Sequence, residues 1–367
     1  MVQIYGTLGP ACSDAETLAR LFEAGMTGVR LNLSHVGLPG AAEQLERLHA
    51  AARQCGVTPQ LLIDMQGPEL RVGLLPAPLT LEYGAPVRLG TDIPLPPAVL
   101  PHLVPGQEVL LDDGKLLLRV SEPLPGGALA QVERGGVLRG RKSAALPGVD
   151  IHLPAMTDSD RENLRLAKDY GVTGVMQPFV RGREDLRTVR AALDEADGQS
   201  IRLFAKIESL DGAAKLAELI PAAGEIVIAR GDLGNSGPLW KLPALQKRIS
   251  AACREAGRPF MVVTQMLASM EQNPVPTRAE VSDIFNAVLD GAASVMVTGE
   301  TAVGKYPVEA MRYLVNTVRE AEAYLGLVRN MAKRSARRPA GRFPVFMVRS
   351  LCLFDSTPPL QILTRSV

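Results

Sequence analysis

The sequence predicts an α/β fold: a (β/α)8 TIM barrel carrying an inserted small all-β lid domain. Three observations predict it. Short β-branched runs, most of them leading into a longer helical pattern, recur eight times and then stop. A single stretch, residues 72–145, breaks that rhythm with Pro, Gly and short apolar runs. The composition, 46% hydrophobic and 22% charged, is that of an ordinary globular chain. An open doubly wound sheet is the competing architecture, and the count of eight favours closure. The expected domains are a barrel from 1–71 and 146–327, a lid from 72–145 and a poorly ordered basic tail from 328–367.

The strand-like runs, in order, are Val2–Tyr5, Gly28–Leu31, Leu61–Asp64, Val172–Met176, Arg202–Ile207, Glu225–Ala229, Phe260–Val263 and Ser294–Val297. Apolar spacing of three and four predicts helices over Asp14–Glu23, Ala41–Gln54, Asp158–Asp169, Arg183–Asp194, Ala244–Ala256, Arg278–Leu289 and Val308–Tyr324. Ser13, Thr157 and Thr277 are the expected N-caps. Gly25, Gly56, Gly171, Gly257 and Gly291 stand where helices should end. Within the insertion, Glu108–Leu111, Lys115–Val120 and Ala128–Val132 read as strands between prolines. The insertion follows the C-terminal end of the third strand, which is the active face of such barrels, so a water-excluding lid is its expected role.

At 367 residues the chain is long enough for a sizeable core. No run approaches the ~20 apolar residues that span a bilayer, so no membrane partner is expected. Met1–Leu8 shows neither the basic start nor the apolar stretch of a secretory leader. Cys12, Cys55, Cys253 and Cys352 are widely separated, which argues against a zinc or disulfide framework. Together these point to a cytoplasmic protein. The formal net charge of +1 predicts no attraction to nucleic acid. It conceals an asymmetry, however. From residue 330 on there are seven basic residues (Lys333, Arg334, Arg337, Arg338, Arg342, Arg349, Arg365) and one acid, Asp355. The remaining 33 basic and 38 acidic residues leave the body at about −5.

In a barrel, the residues just past each strand converge on one mouth. Those residues are Arg30, Asn32, Ser34 and His35; Asp64 to Arg71; Lys206 and Glu208; Arg230 to Asp232; Thr264 and Gln265; and Thr298 to Thr301. Glu208 and Asp232 come from neighbouring strands, and a pair of carboxylates suits Mg2+ with substrate completing its shell. Lys206 and Arg30 add the fixed positive charge that a transferring phosphoryl group needs. Gly231 and Asp232 open a helix whose N–H groups can hold a carboxylate or phosphate. Each residue also has a structural explanation: Arg30 could pair with Glu300, and Thr264 could bond a backbone carbonyl. His35 has no Cys or His partner to make it a ligand, and His49 and His152 read as surface or packing residues. Their joint position favours a Mg2+-dependent site for a small phosphorylated acid.

Thr7-Leu-Gly-Pro-Ala, Arg30-Leu-Asn-Leu-Ser-His, Asp64-Met-Gln-Gly-Pro-Glu-Leu-Arg and Asp112-Asp-Gly-Lys occur in that order. Leu146-Pro-Gly-Val-Asp-Ile-His-Leu-Pro, Lys206-Ile-Glu-Ser, Ala229-Arg-Gly-Asp-Leu-Gly, Thr264-Gln-Met-Leu-Ala-Ser-Met, Pro276-Thr-Arg-Ala-Glu and Thr298-Gly-Glu-Thr-Ala follow. Over residues 2–325 these segments resemble the pyruvate kinase family. The resemblance implies a glycolytic transferase that moves the phosphoryl group of phosphoenolpyruvate to ADP, giving pyruvate and ATP. It implies Mg2+ (or Mn2+) on Glu208 and Asp232, and K+ on Asn32, Ser34, Asp64 and the Met65 carbonyl, with Glu69 accompanying the K+ dependence. Substrate would lie on Arg30, Lys206, Gly231, Asp232 and Thr264. Thr298 and Glu300 would stand nearby to relay a proton, and Asn32, His35, Arg71 and Lys142 would meet the nucleotide. A homodimer through the barrel is a further expectation.

The sequence departs from the family pattern at Gln66 (usually Lys), Pro178 (often Ser), Asn235-Ser236 (usually a segment with Glu) and Thr298 (commonly Ser). No counterpart of the family's C-terminal α/β domain, with its effector site, is expected. Two alternative functions stand beside the kinase reading: a non-catalytic metabolite sensor, motivated by Gln66, Pro178 and the missing domain, and a metal-dependent lyase or decarboxylase acting on a 2-oxo acid, against which Arg71 and Lys142 argue.

Overall fold

The protein was analysed as a computed structural model that describes residues 1–67, 70–112, 114–149, 151 and 153–336. Glu69, His152, Cys352 and the extension from 337 onward, on which some of these expectations fall, lie outside the described residues.

Eight parallel strands close the barrel: β1 (Gln3–Thr7), β2 (Gly28–Asn32), β3 (Gln60–Asp64) and, after the insertion, β11 (Gly174–Gln177), β12 (Arg202–Ile207), β13 (Glu225–Ala229), β14 (Phe260–Val263) and β15 (Ser294–Met296). Their order around the barrel is β1-β15-β14-β13-β12-β11-β3-β2, with β1 pairing both β2 and β15. The open-sheet alternative is thereby excluded. Strands buried on both faces need apolar side chains on both, and the residues sort by alternation. Tyr5, Leu62, Met176, Phe204, Val227, Met261, Val263 and Met296 fill the barrel interior. Ile4, Leu61, Ile63, Val175, Leu203, Ile226, Val262 and Val295 face the helices.

The outer layer is α1 (Ala15–Ala24), α2 (Ala42–Gln54), α3 (Asp158–Leu166), α4 (Arg183–Glu195), α5 (Leu210–Ala214), α6 (Leu216–Ala222), α7 (Arg230–Asn235), α8 (Leu242–Glu255), α9 (Arg278–Leu289), α10 (Gly299–Ala302) and α11 (Pro307–Ala336). Thr157 and Thr277 cap α3 and α9 through reciprocal capping boxes with Asp160 and Glu280. The cap of α1 is Asp14, which accepts from the Thr17 N–H, and the expected cap Ser13 bonds the Pro10 carbonyl instead. The five helix-ending glycines all adopt positive φ, from 61° at Gly257 to 115° at Gly25. α11 runs twelve residues past the expected end at Tyr324. Gly326 lies within this stretch without ending the helix, the other residues of 325–336 are mostly good helix formers, and the first proline after them is Pro339.

The insertion contains β4 (Leu79–Leu81), β5 (Pro86–Leu89), β6 (Glu108–Leu111), β7 (Leu116–Leu124), β8 (Gly127–Arg134), β9 (Gly136–Leu138) and β10 (Ala144–Ala145). They form a five-stranded sheet in the order β10-β6-β7-β8-β5 and a two-stranded β4-β9 pair over a separate apolar core. Leu146 is buried in that core, and Leu70, Val149 and Ile151 pack against it. The packing of the insertion therefore extends past the expected 72–145 span. A two-stranded ribbon forms its stalk, with Val72 N–H donating to Lys142 and Ala144 N–H to Leu70.

Candidate active site

Register alone brings the central charges together. Asn32 pairs with Asp64 across β2 and β3, and Lys206 and Glu208 lie at the C-terminal end of β12. Arg30 places Nε 2.8 Å and Nη2 2.6 Å from Asp64 Oδ2, so its partner is Asp64 and not Glu300. Lys206 Nζ lies 3.2 Å from Asp64 Oδ2 and 2.8 Å from Glu208 Oε1. The result is an alternating row, Arg30–Asp64–Lys206–Glu208, nearly closed to solvent. Burial works to raise the Asp64 carboxyl, but the Lys206 ammonium and Arg30 guanidinium overcome it and hold the group below the usual carboxylate range. Burial likewise works to lower the Lys206 ammonium, and Asp64 and Glu208 reverse this and raise it. Both groups are ionised at neutral pH and the row sums to zero.

Glu208 and Asp232 both line a cleft of about 480 Å³ between the barrel mouth and the insertion. Glu208 Oε2 accepts from the Phe179 N–H at 2.7 Å, which fixes the carboxylate's plane. The two carboxylates offer hard oxygen donors to a divalent ion, and among the described residues no group of three or more Asp, Glu, His or Cys side chains forms a ready-made metal cage. On the neighbouring strand ends, Asn32 Oδ1 accepts from Ser34 N–H at 3.1 Å, and buried Met65 donates its N–H to Met176. These residues supply hydroxyl, amide and carbonyl oxygens beside Asp64, a donor set suited to a monovalent cation.

Thr264 and Gln265 both have positive φ, 73° and 53°, at the end of β14. Non-glycine residues enter that region at a cost, and only when their surroundings hold them there. Buried Arg230 does so: its Nε and Nη2 reach the Thr264 carbonyl at 3.1 and 2.7 Å, while Nη1 meets Asp283 at 2.5 Å. Thr264 Oγ1 donates to the Val263 carbonyl and accepts from the Gly231 N–H at 2.7 Å. That N–H, expected to hold a substrate carboxylate, is therefore engaged within the chain. Glu300 is buried and accepts from Leu267 N–H at 2.9 Å and Thr298 N–H at 2.7 Å, so it brackets the two loops.

The expected nucleotide contacts are more dispersed. His35 is exposed on the loop after β2, Arg71 Nη1 donates to the Arg141 carbonyl, and Lys142 pairs with Asp112 at 2.8 Å. None of the three lines the cleft that holds Glu208 and Asp232. Sequence reading missed Asp160, whose buried carboxylate accepts from the Gln66 and Gly67 N–H groups at 2.8 and 3.0 Å. Its capping-box spacing after Thr157 was visible, but nothing local shows that it also holds the loop after β3. The departure at Pro178 has a packing role: its ring covers Gly67, where any added Cβ would collide with it. Asn235 faces Gly114 on the inserted sheet, so that departure lies where the two halves of the cleft meet. Glu271 was also missed. Burial and nearby Glu300 push its carboxyl up, opposed by Lys115 from the inserted sheet.

The described barrel, closed by eight strands with its charges at the C-terminal mouth, is matched over residues 1–311 by the family model "Pyruvate kinase, barrel domain". The chain belongs to the pyruvate kinase family. It is 38% identical over 351 residues to the pyruvate kinase of Methylorubrum extorquens, covering 92% of this chain and 72% of that one. It is 36% identical over 325 residues to the pyruvate kinase of Geobacillus stearothermophilus, covering 84% of this chain and 55% of the relative. It is 38% identical over 344 residues to human pyruvate kinase PKLR, covering 87% and 59%. The chain thus spans between about half and three quarters of the length of these pyruvate kinases. Among the described residues no helix is long and apolar enough to cross a membrane.

Proposed function

We propose that this chain is a pyruvate kinase, transferring the phosphoryl group of phosphoenolpyruvate to ADP to give pyruvate and ATP in the cytoplasm. The observation that carries the reading is the Lys206 ammonium, buried between Asp64 and Glu208 beside the cleft that Glu208 shares with Asp232. Glu208 and Asp232 would hold Mg2+ (or Mn2+), and Asn32, Ser34, Asp64 and the Met65 carbonyl would hold K+. The divalent ion, when bound, would supply positive charge at the cleft for an anionic phosphorylated substrate.

Lys206 and Arg30 are already oriented by Asp64, so they need no reorganisation as charge spreads onto the moving phosphoryl oxygens. Thr264 would stand beside the enol product on a backbone held by Arg230, its hydroxyl held by the Val263 carbonyl and the Gly231 N–H until the enol is protonated. Glu300 supports that loop by accepting the Leu267 N–H, and the Thr298 N–H fixes its other oxygen. Closure of the inserted sheet would keep water from taking the phosphoryl group and bring His35, Arg71 and Lys142 toward the nucleotide.

A coupled assay for pyruvate and ATP, run with and without Mg2+ and K+, tests the reading. We expect turnover that needs Mg2+ and falls about 10²–10³-fold or more in Lys206→Met, the range for losing one preorganised charge. Unchanged turnover in Lys206→Met would remove Lys206 from the chemistry. Phosphoenolpyruvate binding with no turnover in the unaltered chain would favour the sensor alternative.

A further inference from the structure

The short loop between β11 and α4 touches both halves of the cleft. At its start the Phe179 N–H donates to Glu208 Oε2 at 2.7 Å. At its end Arg181 reaches across to the strand returning from the insertion: Nη1 donates to the Ile151 carbonyl at 3.3 Å and Nη2 to the Leu153 carbonyl at 2.5 Å. The same guanidinium is fixed by Asp185 in the first turn of α4, through Nε at 3.3 Å and Nη2 at 3.3 Å, and the Arg181 N–H adds a bond to that carboxylate at 3.0 Å. The loop is not slack: Phe179 has φ 51°, a conformation that a phenylalanine holds only where its neighbours fix it.

Arg181 grips the point where the chain changes bodies. Ile151 packs against the core of the insertion, whereas Met156, five residues on, is buried in the core of the barrel. Movement of the insertion must therefore turn the backbone near the two carbonyls that Arg181 holds. Only Val180 separates Phe179 from Arg181, too short a link to absorb such a turn without moving the Phe179 N–H.

We propose that Arg181 is a positioning residue which, through the 179–181 loop, couples the placement of the lid to the orientation of the Glu208 carboxylate. Lid closure and readiness of the divalent site are then one event. The proposal rests on the functional reading above, in which Glu208 holds the metal.

Linkage makes the coupling testable in both directions. In the unaltered chain, Mn2+ should slow amide exchange over 144–153, and in Arg181→Met it should not. Mn2+ affinity without substrate, read from the electron paramagnetic resonance of the free ion, should fall about tenfold in Arg181→Met, the low end for losing a group that orients a metal ligand. The fraction of phosphoenolpyruvate hydrolysed instead of transferred to ADP should rise. Arg181→Lys, which keeps the charge but cannot span both carbonyls and Asp185, should show the same directions in smaller degree and guards against a misfolded methionine variant. Faster exchange over 144–153 with unchanged Mn2+ affinity in both variants would overturn the coupling and leave the functional reading intact. Absence of Mn2+ binding and of turnover in the unaltered chain would overturn both.

Discussion

Asp64 shows how one residue serves fold and site together. It is 2% exposed, and its carboxylate is the shared partner of Arg30 and Lys206. Replacing it by Asn leaves two buried cations facing each other, and removal of one partner from a buried pair costs about 3–5 kcal/mol. The pH dependence follows from the directions of the shifts. Asp64 is held below its unfolded value of about 3.9, so its contribution is present above that pH and is lost as pH falls through the lower folded value. Lys206 is raised, so its contribution is complete below the unfolded value of about 10.4 and is lost only above it, through the higher folded value. Urea unfolding of the wild type should therefore show this term constant between about pH 5 and 9. The gap between wild type and Asp64→Asn should narrow below about pH 4; a gap that stayed constant into strong acid would show that folding does not lower the Asp64 pKa.

At the level of elements, the capping boxes connect local sequence to the loops of the site. Thr277 accepts from the Glu280 N–H, and Glu280 also holds Ser269 in the loop after β14. Thr277→Ala should cost about 1 kcal/mol of unfolding free energy, the usual loss for an N-cap hydroxyl, with little change in KM. Asp160→Ala should cost more and also raise KM, because the same carboxylate accepts the Thr157 N–H in the α3 capping box and holds the Gln66 and Gly67 amides beside Asp64. Comparable KM values in the two variants would sink the idea that Asp160 shapes the mouth. The element pattern was legible because helix and strand periods, capping spacings and terminal glycines are local signals. The length of α11 was not, because Gly326, just past the expected end at Tyr324, is passed over by the helix.

For the whole molecule, the anchor of α11 is its N-terminal half. Val308, Ala310, Met311, Leu314, Val315, Val318 and Ala321 are buried against the barrel, whereas Tyr324, Leu327 and Met331 are exposed. Glu322 closes the ring by accepting the Val2 N–H at 2.7 Å. A chain stopped after Asn330 should melt within about 2 °C of the full chain, since the buried anchors of α11 among the described residues all lie before the cut. A chain stopped after Gly304 should lose the cooperative transition. Thermal unfolding followed by circular dichroism checks both, and a large loss on the first truncation would assign the basic extension a place on the barrel.

Strand and helix order, closure at eight strands, the site of the insertion and the residues at the mouth could all be read from the sequence, because each follows from short-range periodicity and from the rule that strand ends converge. Pairings across the mouth could not. Arg30 was expected to pair with Glu300 if it served a structural role, and barrel register gave it Asp64 instead. The Gly231 amide looked available until the fold placed Thr264 Oγ1 on it. Asp160, Arg181 and Arg230 act on loops far from them in sequence, and such long-range hydrogen bonds leave no periodic trace. Sequence determined which groups reach the mouth; tertiary structure decided which of them hold one another and which face the cleft, because that choice depends on distances set by strands remote in the chain.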